Sequence, residues 1–176
     1  MLVVATIPTA IIGLGLEDLF TSLFHNPVAV AVAFAITGTF LFLTRYARKG
    51  DLEAHNLSYG KAIAIGLAQG LAITPGISRS GSTIAAGMFL GMDRQAAARY
   101  SFLLAIPTIL GAFVLKAGDL SLEGAAMTPI LVGVMASAVS GYAALRLLIH
   151  LVKAGDFSKF AYYLWPLAAV TLLLNA

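Results

Sequence analysis

Long apolar runs divided by short polar stretches organise this chain. The first run, "MLVVATIPTAIIGLGL", stops at Glu17-Asp18. A helix needs about 20 apolar residues to cross a ~30 Å hydrocarbon core, so this run falls short of a span. The second, "PVAVAVAFAITGTFLFLTRYARK", starts at Pro27, is long enough, and closes on Arg45, Arg48 and Lys49. A polar loop over 46–61 follows. Two short apolar pieces, "AIAIGLAQGLAI" and "STIAAGMFLG", then flank Thr74-Pro75-Gly76. Each covers about half a bilayer, and a Pro-Gly break between them predicts a re-entrant helical hairpin over 62–91. The runs "AAARYSFLLAIPTILGAFVLK", "TPILVGVMASAVSGYAALRLLIHLVK" and "FAYYLWPLAAVTLLLNA" complete the chain as three spans within 94–176. Pro107 is placed to kink the first of these.

The pattern therefore predicts one all-α integral membrane domain over 1–176. It has about five transmembrane helices, the first truncated, plus one re-entrant hairpin. Composition agrees. The chain is 60% hydrophobic and 11% charged, whereas a soluble domain carries about a quarter charged residues. Its basic residues are scattered and form no stripe, which argues against a nucleic-acid partner. The absence of cysteine excludes disulfides, Cys-ligated metals and a thiol nucleophile.

Charge also reports orientation. Arg45, Arg48, Lys49, Lys61, Arg94, Arg99, Arg146, Lys153 and Lys159 fall on one face if the hairpin returns to the side it left. Glu17, Asp18, Lys116, Asp119 and Glu123 fall on the other. That asymmetry assigns the basic face to the cytoplasm. A hairpin that crossed fully would scramble it.

The hairpin tip, "TPGISRSGST" over 74–83, carries Arg79 into the middle of the membrane. An arginine there is costly unless paired or solvated, and its guanidinium stays charged. The acids of the chain lie outside the apolar runs, so the expected partner is an external anion. Pro75 and Gly76 permit a tight turn. Ser78, Ser80, Ser82 and Thr83 bring hydroxyls. A second half-helix starting near Ser80 to Ser82 would aim its first amides into the same space. Arg79 adds a planar fork able to meet two phosphate oxygens. Convergent donors inside apolar walls favour a lipid phosphate or pyrophosphate. Small residues such as those of "SGSTIAAG" also pack helices together; the arginine and the Pro-Gly break weigh against packing alone.

Other polar residues carry less. Gln69 either faces the site or bonds a neighbouring helix. His25, His55 and His150 lack metal-ligand spacing and read as interfacial. Tyr162, Tyr163 and Trp165 read as an interface belt, and Asp93 as a helix cap or as loop solvation.

The stretch "GLAQGLAITPGISRSGSTIAAGMFLGMDRQAAARYSFLLAIPTILGA" closely resembles the second signature of bacterial undecaprenyl-pyrophosphate phosphatases, the bacitracin-resistance family. Pro75, Gly76, Ser78, Arg79, Ser80 and Gly81 match its Pro-Gly-x-Ser-Arg-Ser-Gly motif, and "SFLLAIP" follows in register. The resemblance implies the second half of an inverted-repeat fold, 1–45 being the remainder of the first repeat. It implies hydrolysis of a C55 polyprenyl pyrophosphate in the cytoplasmic membrane, at a site opening to the outer side. It implies Arg79, Ser78 and Ser80 as catalytic and an assisting divalent cation, Mg or Ca; with the residues' own chemistry, Gly76, Gly81, Ser82, Thr83 and Gln69 stand as the substrate-binding candidates.

Family members also carry an earlier hairpin with Glu-x-x-x-Glu and a Ser-rich turn ending in Gly-His. Here Gln69 and Ile73 stand where glutamates of that copy would be, and the cation ligands are absent. The chain is expected to be a poor phosphatase alone, completed by an N-terminal half as a separate chain or by a homodimer. The alternative function is a transporter or flippase for a lipid phosphate or small anion.

Overall fold

The computed structural model describes residues 1–118, 127–154 and 156–175. Asp119 and Glu123, two acids assigned to the less basic face, lie outside the described residues. The described residues form eight α-helices and no strand: α1 Leu2–Gly15, α2 Glu17–Phe24, α3 Pro27–Leu43, α4 Tyr59–Leu71, α5 Arg79–Phe89, α6 Arg94–Ala117, α7 Met127–Lys153 and α8 Ala161–Asn175. Segments 27–46, 94–117, 127–153 and 157–175 are each long and apolar enough to cross a bilayer. A fifth span results if α1 and α2, bent by 69° at Leu16, are counted together. The chain is a multi-pass, all-α membrane protein.

Local chemistry sets the helix starts. Asn26 caps α3 by accepting the Ala29 N–H, and Pro27 takes the first position, where its missing N–H is not needed. Asp93 caps α6, its Oδ1 accepting from Gln95 at 2.8 Å and Ala96 at 3.2 Å. Pro107 lies within α6. The hairpin begins at Tyr59, earlier than the expected 62, because Ser58 accepts the Lys61 N–H and starts the helix there.

Helices α4 and α5 pack side by side, and their far ends meet the same loop. Leu52 N–H donates to Gly91 C=O, and Asp93 N–H donates to Leu52 C=O. Lys61 Nζ donates to the Leu90 carbonyl at 2.8 Å. The hairpin thus returns to the end it left, as a re-entrant element does. At the opposite end Lys116 Nζ pairs with Glu17 Oε1 at 3.1 Å.

The buried core gathers around the hairpin. Ile65, Ile84, Ala85, Met88, Met92, Ala97 and Leu104 all belong to it. Helix α1 lies against α4 so closely that a Cβ on Gly66 would collide with the Ala5 carbonyl. Helix α6 covers α5, α3 leans on α5 and on α8, and α7 is exposed along most of its length. Phe42, Tyr46, Tyr162 and Trp165 form an aromatic group with ring centroids 5.2 to 6.4 Å apart. Arg45 sits over Phe42 at 4.9 Å. Amphipathic rings with a cation at a span end are the expected interfacial arrangement.

Candidate anion-binding site

The hairpin apex is residues 72–78, a compact irregular link between α4 and α5. Three backbone bonds close its first part: Ile73 N–H to Gly70 C=O, Thr74 N–H to Leu71 C=O, and Ile77 N–H to Thr74 C=O. Gly76 then adopts φ +90°, a left-handed conformation that a side chain disfavours. A Cβ there would also lie 2.6 Å from the Val30 carbonyl and 2.8 Å from Ala33 Cβ. Glycine is required twice over, by backbone conformation and by the closeness of α3.

Helix α5 starts one to three residues earlier than expected. Its cap is Ser78, and Arg79 is its first residue. Ser78 Oγ accepts the Gly81 N–H at 3.1 Å, and the Ser78 carbonyl accepts the Ser82 N–H at 2.8 Å. A serine preceding a charged residue is a good cap but a weak sequence signal, since three serines compete within five residues. The result leaves the N–H groups of Arg79 and Ser80 at the open end of the helix, where partial positive charge collects.

Arg79 is half-buried and forms no ion pair among the described residues. Ser80, also half-buried, and Ser82, buried, form no side-chain hydrogen bond among the described residues. The apex therefore brings together a guanidinium, two free amides and two hydroxyls. That set suits an anion with several oxygens.

The remaining candidates lie elsewhere in the hydrogen-bond network. Gly81 is buried and makes room for the Ser78 hydroxyl and for Leu41 of α3. Thr83, 1% exposed, turns its hydroxyl to Ser101 of α6 at 2.6 Å. Gln69 makes the interhelical bonds expected of it as one of its two roles. Its Nε2 donates to Thr9 of α1 at 3.1 Å and to Thr108 of α6 at 2.9 Å. Those threonines donate to backbone carbonyls, so Gln69 must give them its N–H groups, and its buried Oε1 is left without a donor.

Thr37, absent from the residues expected at the site, meets the apex from α3. Its hydroxyl donates to the Gly76 carbonyl at 3.1 Å and accepts the Ser78 N–H at 3.3 Å. The only available signal was a threonine in mid-span, and such residues usually bond within their own helix.

The family model described as Bacitracin resistance protein BacA matches residues 1–170. The chain is 48% identical to an undecaprenyl-diphosphatase of Desulfosudis oleivorans, across 99% of this chain and 64% of that relative. It is 44% identical to an undecaprenyl-diphosphatase of Desulfatibacillum aliphaticivorans, again across 99% of this chain and 64% of the relative. It thus spans a little under two thirds of those proteins. An undecaprenyl-diphosphatase of Methanothermobacter thermautotrophicus is 43% identical, across 98% of this chain and 97% of the relative.

Proposed function

The chain belongs to the family of the bacitracin resistance protein BacA, and on that premise we propose that it serves hydrolysis of undecaprenyl pyrophosphate to the monophosphate. The headgroup is held at the hairpin apex, and the polyprenyl chain remains in the bilayer. The Arg79 fork meets two phosphate oxygens, the Arg79 and Ser80 amides meet a third, and the Ser80 and Ser82 hydroxyls complete the cradle. Ser78 holds the helix start rather than the substrate, and Gly76 and Gly81 give the turn its shape.

One observation carries this reading: a half-buried cation at the tip of a re-entrant hairpin, with no carboxylate paired to it among the described residues. Apolar surroundings raise the value of any anion that reaches it.

Hydrolysis also needs an activated nucleophile and relief of developing negative charge. Among the described residues no three His, Asp or Glu side chains converge on a point that could hold a metal ion. The donor set does not fit a resident divalent cation, so no step is assigned to one. In this proposal a first-half hairpin, on the same polypeptide or on another, supplies carboxylates that these residues lack, and residues 1–176 alone bind diphosphate but turn it over slowly. The cytoplasmic membrane is the proposed location. Its basic end, with Arg45, Arg48 and Lys61, faces the cytoplasm, and the apex is reached from the other side.

Co-expression tests the reading. Phosphate release from a polyprenyl pyrophosphate should be weak with this chain alone and strong with a first-half segment carrying Glu-x-x-x-Glu. A complex of both halves that folds in the membrane and releases nothing would overturn it.

A further inference from the structure

A non-helical apex at membrane depth leaves backbone groups that lipid cannot satisfy, so the protein must satisfy those packed against it. One side chain does much of this. Thr37 reaches the carbonyl of Gly76 and the N–H of Ser78 with a single hydroxyl, bridging the two residues on either side of Ile77. It is 2% exposed.

Its bonding departs from that of four other helix threonines, although Thr9 of α1 also reaches across, to the Gly66 carbonyl at 2.9 Å. Thr6, Thr39, Thr108 and Thr171 each return their hydroxyl to the carbonyl four residues earlier in their own helix. Thr37 instead donates across to Gly76, 39 residues away. The rest of its helix face prepares the contact. Val30, Ala33 and Thr37 lie at i, i+3 and i+7, on one side of α3. Val30 and Ala33 form the wall against which Gly76 sits, and Thr37 clasps the turn beside them.

We propose that Thr37 is a positioning residue for the anion cradle. The claim rests on the diphosphate reading above, and extends it to a helix outside the hairpin. The Ser78 N–H that Thr37 fixes belongs to the cap of α5. The same Ser78 presents its hydroxyl to Gly81 and its carbonyl to Ser82. Holding that peptide plane sets the direction in which the first free amides, those of Arg79 and Ser80, point. Thr37 touches no substrate in this account; it acts through Ser78.

Two variants of the full chain in nanodiscs test it. Thr37→Val keeps the shape and removes both hydrogen bonds, and Thr37→Ser keeps the hydroxyl. Hydrogen exchange over 73–82 should quicken about tenfold in Thr37→Val, the factor for one net hydrogen bond of about 1.4 kcal/mol. Exchange in α8 should stay unchanged, reporting an intact fold. Affinity for farnesyl diphosphate should fall about tenfold in Thr37→Val and return to within about twofold of the unaltered chain in Thr37→Ser. Apex exchange that does not change in Thr37→Val overturns the staple. Faster exchange with unaltered affinity overturns the positioning role, provided Arg79→Lys lowers affinity in the same assay. Failure of Thr37→Ser to restore both readings also overturns it, because packing and not the hydroxyl would then be responsible. If Arg79→Lys itself leaves affinity unchanged, the diphosphate reading fails, and with it the positioning role; the exchange measurement then decides only the staple.

Discussion

The ammonium of Lys61, in the first turn of α4, donates to the carbonyl of Leu90, just beyond the end of α5, at 2.8 Å. The two residues are 29 positions apart and close the open end of the hairpin. The two half-helices joined end to end as one crossing span would hold these residues on opposite surfaces. The bond therefore states the topology of the hairpin in a single contact.

That topology is testable because the chain has no cysteine. Asp51→Cys, Gln95→Cys and Asp18→Cys all place a thiol at an exposed position. A membrane-impermeant maleimide should label positions 51 and 95 from one side and position 18 from the other. Labelling of 51 and 95 from opposite sides would replace the hairpin by a crossing span.

Gly76 and Gly111 make a matched pair for stability. At Gly76, φ is +90° and an added Cβ would lie 2.6 Å from the Val30 carbonyl. Gly76→Ala should destabilise by more than the roughly 1–2 kcal/mol of left-handed strain alone. Gly111 lies inside α6 with nothing within 4 Å of an added Cβ. Gly111→Ala should be neutral or stabilising by up to about 1 kcal/mol, the propensity difference in a helix. Unfolding midpoints in a mild detergent would compare them.

Much of this was legible in the chain because membrane helices declare themselves by length and polarity. The spans, the Pro75-Gly76 break and the Asp93 cap each follow from local chemistry that lipid makes stringent. Three features did not. The bend between α1 and α2 occurs at Leu16, with no proline or glycine at that residue, only Gly15 before it. The start of α5 depended on which of several serines would cap, and Ser78, the one that does, also meets Thr37 from another helix. Thr37 itself resembles any mid-span threonine until its partner, distant in sequence, is brought alongside.

Gln69 offers a discriminating substitution. Its Nε2 serves Thr9 and Thr108, while its Oε1 is buried without a donor. An orphaned acceptor of this kind costs about 1–3 kcal/mol, and an apolar replacement removes it. Gln69→Leu should change stability by less than about 1 kcal/mol in either direction, because the lost interhelical bonds and the lost orphan offset each other. Affinity for farnesyl diphosphate should remain within about twofold, an interval of about 0.4 kcal/mol. A tenfold loss with unaltered stability would return Gln69 to the substrate.

Thr83 and Ser101 join α5 to α6 through hydroxyls 2.6 Å apart, both buried. The Thr83 hydroxyl also lies 3.0 Å from the Arg79 carbonyl and 3.2 Å from the Ser80 carbonyl. If Thr83 gives its proton to those carbonyls, Ser101 must be the donor across the helix pair. Thr83→Val then leaves the Ser101 proton buried without that acceptor, at about 1–3 kcal/mol. Ser101→Ala leaves Thr83 with its own carbonyls, so its loss should be nearer 1 kcal/mol. The double variant should be no less stable than Thr83→Val alone, giving a coupling energy of at least about 0.5 kcal/mol. A four-state cycle of unfolding free energies checks this. Strictly additive losses would show that α5 is held against α6 by packing of Ile84, Ala85 and Leu104, with the hydroxyl pair making no contribution of its own.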